Sequence, residues 1–251
     1  MQACSLLFSR YTYRLTNKLG LGSPRVIRPP NVFFHDLDDD SLLRIFSLCR
    51  PNIFEKDNFG DIWWANLVHE HWWYKLIKVC RRWRYLILGS VSHLSLCLVC
   101  SSGALVEEML AHFPSFPLII FRHDKNHDLT PEDERGIMFA LKHRDRVRRI
   151  YLSMPVLSLE KAIKTLEDQF PVLESLYILP VTMHDAHLVL PATFSAPQLS
   201  YLTLNHFAFP TGSPSPTTAV SLVRLSLRWV YPSINLYPNH LLQTLSLLPQ
   251  L

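Results

Sequence analysis

Four short runs in the second half of the chain share one frame. Val147-x-x-Ile150-x-Leu152, Leu173-x-x-Leu176-x-Ile178, Leu199-x-x-Leu202-x-Leu204 and Leu222-x-x-Leu225-x-Leu227 begin 26, 26 and 23 residues apart. Within each frame the last two apolar positions alternate, so they point to one side of a short strand. The first, three residues earlier, turns the chain into the core. No single unit of this kind can bury its own apolar side, so neighbouring units must stack. Pro249-Gln250-Leu251 resembles the openings Pro171-Val172-Leu173 and Pro197-Gln198-Leu199 and lies 29 residues beyond Leu222. Two earlier strand-like runs, Leu94 to Leu98 and Leu118 to Phe121, fall near the same period.

Strands that recur at this distance have room for a crossover between them, which makes them parallel neighbours in one sheet. The intervening sequence supplies the crossovers. Val106 to Phe113 reads as a helix. A second begins at Thr130-Pro131-Glu132-Asp133, with a cap residue, proline in the first turn and early acids. A third spans Ser158 to Phe170, with Leu159, Ile163, Leu166 and Phe170 on one face. The connectors 179–196 and 205–219 are richer in Pro, Ser and Thr and read as irregular. A period of 20–29 residues with this frame resembles the leucine-rich repeat. Asn205 stands where that repeat carries asparagine or cysteine after its ladder, whereas Pro180 and Arg228 do not fit, so the repeats are degenerate. The sequence stops inside a repeat, which reads as a solenoid truncated before its cap.

The segment before the repeats is helical in pattern. Leu76, Cys80, Trp83 and Ile87 recur at steps of four, three and four, which places them on one helix face flanked by Ile77 and Leu86. Gly89-Ser90 ends that helix. Ile62 to Trp73 reads as its N-terminal extension. Upstream, residues 37–49 read as another helix, with Asp38, Asp39 and Asp40 at its positive end and Leu42, Leu43, Ile45 and Phe46 as its apolar face. The segment between them holds Trp63, Trp64, Trp72 and Trp73, four of the chain's six tryptophans, which marks core or interface burial.

The wording of these two helices carries a second resemblance. Val79-Cys80-Arg81-Arg82-Trp83-Arg84 followed by Gly89-Ser90 strongly resembles the second half of an F-box, above all in the large group of F-box proteins from mushroom-type fungi. Leu37-Asp38-Asp39-Asp40-Ser41-Leu42-Leu43-Arg44-Ile45-Phe46 is similar to its opening, with Asp38 where the family usually has proline and Ser41 where an apolar residue is common. Some two dozen residues, Arg50 to Trp73, separate the halves. The resemblance covers about a fifth of the chain.

Composition sets bounds on function. The 251 residues are 48% hydrophobic, with 18 prolines against 7 glycines, as in a folded chain. Of the net charge of +4, residues 1–35 carry five basic groups and no acid, so the remainder stands at −1. A near-neutral body argues against a broad electrostatic face for nucleic acid. No apolar run reaches the roughly 18–20 residues that span a bilayer. Residues 1–32, basic and acid-free, read as a disordered leader outside the fold. Mitochondrial transit peptides have the same composition, which is the other reading.

Five cysteines, an odd number with three inside apolar patterns, point to reduced thiols in an intracellular protein. Cys97-x-x-Cys100 lacks a second Cys/His pair at metal spacing, and His69-Glu70-His71 would need ligands from elsewhere. No glycine-rich phosphate loop, nucleophile elbow or zinc-protease helix is present. His123, Asp124, His127 and Asp128 read as a polar loop, as do His184, Asp185 and His187. Neither a cofactor nor a metal is expected.

The expected fold class is therefore α/β: an all-helical F-box over 33–91, with an insertion at 50–73, followed by a leucine-rich-repeat-like curved parallel-sheet solenoid over 92–251. The resemblance implies a non-catalytic substrate receptor of an SCF-type cullin–RING ubiquitin ligase, in the cytoplasm or nucleus. Its F-box would dock the Skp-family adaptor through Leu37, Leu42, Leu43, Ile45, Phe46, Val79, Cys80, Trp83 and Leu86, some of which must instead pack the F-box itself. An unidentified target protein would lie on the repeats. The alternative is a leucine-rich-repeat scaffold without a ligase, whose helices cap the solenoid.

Overall fold

The computed structural model describes residues 37–50, 72–101, 106–113, 115–123, 129–181, 188–207 and 221–228. The basic leader, the tryptophans at 63 and 64, the His69–His71 cluster, Asp124 to Asp128, His184 to His187 and the last repeat opening lie outside these residues. The chain divides into two compact units, parting between Ser95 and Leu96.

The first unit is helical. Helix α1 spans Asp39–Cys49, α2 Trp72–Leu76 and α3 Arg81–Gly89. Asp38 caps α1, its Oδ1 accepting from the Ser41 amide at 2.6 Å, and Asp39 and Asp40 occupy the first turn as expected. Leu42 and Phe46 of α1, Trp73 of α2 and Ile87 of α3 are fully buried.

The expected single helix through Leu76, Cys80, Trp83 and Ile87 is two helices. The Val79 amide closes a tight turn on the Leu76 carbonyl at 3.1 Å, and Cys80 is extended, at φ −156° and ψ 170°. The break leaves the Ile77 carbonyl without a helical donor, and the Arg84 side chain supplies one, Nε to O at 3.1 Å. A turn of this size preserves the spacing of the apolar residues, so the periodicity cannot register it. Cys80 consequently lies on the surface, off the face that carries Trp83 and Ile87.

The second unit is mixed α/β. Its strands are β1 Leu98–Cys100, β2 Leu118–His123, β3 Val147–Met154, β4 Ser175–Pro180, β5 Tyr201–Asn205 and β6 Arg224–Arg228. They form one sheet in chain order, every neighbouring pair parallel. Helix α4, Val106–His112, connects β1 to β2; α5, Pro131–Leu141, connects β2 to β3; α6, Val156–Lys164, connects β3 to β4. Among the described residues no helix is long and apolar enough to cross a membrane.

The frame residues meet in register. One row runs Cys100, Ile120, Ile150, Leu176, Leu202, Leu225, and a second runs Arg122, Leu152, Ile178, Leu204, Leu227. The frame-opening Val147, Leu173, Leu199 and Leu222 are all buried. Each fully buried side chain of this size contributes about 1.5–3 kcal/mol. Helix α5 begins as its sequence dictates: Thr130 Oγ1 accepts from the Asp133 amide at 3.1 Å, with Pro131 in the first turn.

Two expected elements have different bounds. The strand read over Leu94 to Leu98 starts at Leu98. Ser95 has φ +49°, in the left-handed region, and the Leu94 and Ser95 amides close turns onto Ser90 and Ser92. Leu94 is buried from a turn, and Leu96 from the irregular stretch between that turn and the strand. The helix read over Ser158 to Phe170 begins at Val156 and ends at Lys164, where the Thr165 and Leu166 amides tighten onto Ala162 and Ile163. All four of its face residues are nonetheless buried. Between β4 and β5, the described residues form no helix. Phe194 packs near Phe170, ring centroids 6.2 Å apart, and the Phe170 amide donates to the Ser195 carbonyl at 2.8 Å.

Candidate functional site

The two motif-bearing segments of the helical unit, far apart in sequence, are brought together. Arg82 reaches from α3 to the start of α1, its Nε and Nη2 donating to Asp39 Oδ1 at 3.1 and 2.7 Å and its Nη2 to the Leu37 carbonyl at 2.6 Å. A guanidinium serving one carboxylate and one carbonyl fixes the angle between the helices as a single cation could not. Below it, Phe46 and Trp83 meet edge to face at 4.8 Å and 65°, the arrangement that aromatic quadrupoles favour.

Burial then sorts the nine residues expected to dock a partner. Leu42 and Phe46 are fully buried and pack the unit itself. Trp83 is half-buried, with one edge taken by Phe46. Leu37, Leu43, Ile45 and Leu86 are half-buried, and Val79 and Cys80 are exposed. Two apolar residues that the pattern passed over are well exposed: Leu48 at 65% and Tyr85 at 79%. At 100° per residue Leu48 continues the Ile45 side of α1, and Tyr85 lies opposite Ile87 on α3. Helical phase was the available signal for both. Arg82 belongs to the quoted motif, but its contact with α1 has no sequence signal, because a basic residue on a polar helix face reads as solvated.

The thiols do not resemble a reactive pair. Cys97 and Cys100 are both buried, and burial pushes the Cys100 thiol up to about 12, with nearby Arg146 opposing the rise. At neutral pH that thiol is protonated, and the thiolate is the nucleophile and the metal ligand. Burial also raises Cys49. Among the described residues, no group of three or more His, Cys, Asp or Glu side chains is placed to hold a metal ion. His123 ends β2 against the Tyr151 ring at 6.2 Å, and its expected loop partners lie outside the described residues.

In the sheet unit, the side away from the leucine rows has its own chemistry. Phe121, Tyr151, Tyr177, Thr203 and Ser226 share one row. The Tyr151 and Tyr177 rings stack at 4.2 Å and 4°, and burial, with Tyr177 beside it, raises the Tyr151 hydroxyl above its ordinary range. Beside it run Ile119, Arg149, Ser175, Tyr201 and Arg224. Comparison of the chain with protein families, with curated proteins and with solved structures finds no match.

Proposed function

We propose that the chain is the substrate receptor of an SCF-type cullin–RING ubiquitin ligase. Its helical unit is an F-box that docks the Skp-family adaptor, and its sheet unit is a leucine-rich-repeat-like solenoid that holds a target protein. The observation that carries the reading is the Arg82 fork onto Asp39 and Leu37, with Phe46 against Trp83: the two halves of the resemblance assemble despite the insertion between them. The in-register leucine rows support the second half of the reading.

In this reading Leu42 and Phe46 build the F-box. Docking falls to Leu37, Leu43, Ile45, Val79, Cys80, Trp83 and Leu86, with Leu48 and Tyr85 added. Such a contact draws its energy from apolar burial at a few central residues. The chain performs no chemistry of its own; it holds a target beside a transferred ubiquitin and raises the rate through proximity.

The test is co-purification of the full chain with the Skp-family adaptor, wild type beside Leu43→Asp/Val79→Asp. Both positions have surface, so the double variant keeps the wild-type circular dichroism spectrum. Leu42→Asp is unsuitable, since it would bury an unpaired charge. The expected result is adaptor retained by the wild type and reduced at least about tenfold in the variant, the effect of losing central apolar contacts. A folded wild type that retains no adaptor overturns the ligase reading in favour of the scaffold.

A further inference from the structure

The Arg82 fork makes two kinds of bond. Those to Asp39 Oδ1, from Nε at 3.1 Å and Nη2 at 2.7 Å, form an ion pair whose side chains are 39% and 62% exposed. Exposed pairs of this kind contribute little to stability, because water screens them and the side chains must be held still. The bond from Nη2 to the Leu37 carbonyl, at 2.6 Å, is part-buried and reaches outside the helix. The ladder of α1 begins one residue later, with the Leu42 amide on the Asp38 carbonyl at 3.1 Å. The amide that would carry the ladder back to Leu37 is that of Ser41, and the Asp38 side chain takes it at 2.6 Å. Arg82 therefore stands in for the helical donor of Leu37. Leu37 itself is half-buried and keeps surface for a partner.

We infer that Arg82 is a positioning residue for adaptor docking: by holding the Leu37 carbonyl from α3, it sets the Leu37 side chain relative to Trp83 and Leu86. The inference rests on the reading of the helical unit as an adaptor-docking F-box. Leu37 precedes α1, so the helical ladder does not fix it. The planar guanidinium offers Nε and Nη2 in one rigid fork, so the Leu37 carbonyl and the Asp39 carboxylate are held in a fixed relation to α3. A lysine ammonium has the charge without the plane, and it can pair with Asp39 without fixing the carbonyl. Placement matters because the few central side chains that carry an apolar contact do so only when they fit and exclude water. A Leu37 already ordered before docking also loses less conformational freedom when the adaptor binds.

The experiment is a double-mutant cycle on adaptor affinity, with the full chain titrated by purified Skp-family adaptor in a calorimeter. Wild type, Leu37→Ala, Arg82→Lys and the two combined form the cycle. Asp39→Asn is the control, since its amide oxygen still accepts from Arg82 while the charge is gone. Arg82→Lys should keep the circular dichroism spectrum and unfold within about 4 °C of wild type, the scale of losing an exposed pair. Leu37→Ala and Arg82→Lys should each weaken the adaptor by about tenfold. The combined variant should be no weaker than Leu37→Ala alone, because Arg82 acts through the side chain already removed; independent effects would multiply to about a hundredfold. Asp39→Asn should bind within about threefold of wild type. A combined variant near the product overturns the inference, in favour of Arg82 touching the adaptor itself or acting through the fold at large. An Arg82→Lys chain that loses its helical signal overturns it too, as does wild-type affinity in either single variant. So does Asp39→Asn weakened as much as Arg82→Lys. The ligase reading survives all of these outcomes while the wild type binds; a folded wild type with no adaptor affinity overturns that reading and the inference with it.

Discussion

Arg122 occupies a position that its sheet neighbours give to aliphatic side chains. In register it sits beside Leu152, in the row continued by Ile178, Leu204 and Leu227, and its side chain is 2% exposed. Its Nη1 lies 3.3 Å from Asp133 Oδ2 in the first turn of α5, where the carboxylate is 11% exposed. Desolvating two charges costs about as much as their attraction returns, so the pair itself adds little net stability. Removing one partner is another matter. Asp133→Leu takes a carboxylate away from a buried guanidinium that cannot lose its proton, and such losses run to about 3–5 kcal/mol. Arg122→Leu leaves a carboxylate that can take up a proton and that faces the positive end of α5, so its cost is smaller. The double variant Arg122→Leu/Asp133→Leu restores the apolar row and comes out within about 1 kcal/mol of wild type or above it. Urea denaturation of the four proteins checks the order. The same residue explains why β2 was read only as far as Phe121: an arginine where the row needs a leucine ends the pattern while the strand continues to His123.

Element boundaries were legible where their causes are local. Helix α5 begins where Thr130, Pro131 and the acids after them place it, and α1 begins at its aspartates. The break before α3 depends on a side chain seven residues away, Arg84 on the Ile77 carbonyl, and no periodicity encodes that bond. The shift of β1 has a similar cause: Leu94, Leu96 and Leu98 alternate, and a turn through Ser95 buries the first two as well as a strand would. The docking set was legible as a list of apolar positions; its division into inward and outward members was not, since Leu42 and Leu43 differ only in helix phase. The cap of α1 gives a pH prediction. The Ser41 amide bonded to the Asp38 carboxylate holds its pKa below the ordinary value, and the Ser41 side chain and Arg82 act in the same direction. A folded pKa below the unfolded one means stability that is present above about pH 3.9 and is lost as pH falls through the lowered value. Asp38→Asn keeps a capping oxygen and should remove that part of the acid dependence, whereas Asp38→Ala weakens the helix at neutral pH as well. Acid titration followed by circular dichroism distinguishes the three proteins.

At the scale of the whole chain, the sheet unit is a stack in which each strand bonds only to the next. Stability in such an array is a sum of unit and neighbour contributions, so the effect of a substitution depends on where in the stack it falls. Leu176 is almost fully buried in β4, between Ile150 and Leu202 in its row. Leu225 has the same place in β6 and is half-buried. Leu176→Ala should cost about 2–5 kcal/mol, the range for deleting a buried leucine side chain. Its loss uncouples β3 from β5, so amide exchange should accelerate on both sides of β4. Leu225→Ala removes less buried surface, and exchange should accelerate in β5 and β6 while β1 to β3 keep wild-type protection. Exchange measured strand by strand gives both patterns, and a uniform response to Leu225→Ala would contradict the neighbour-only description.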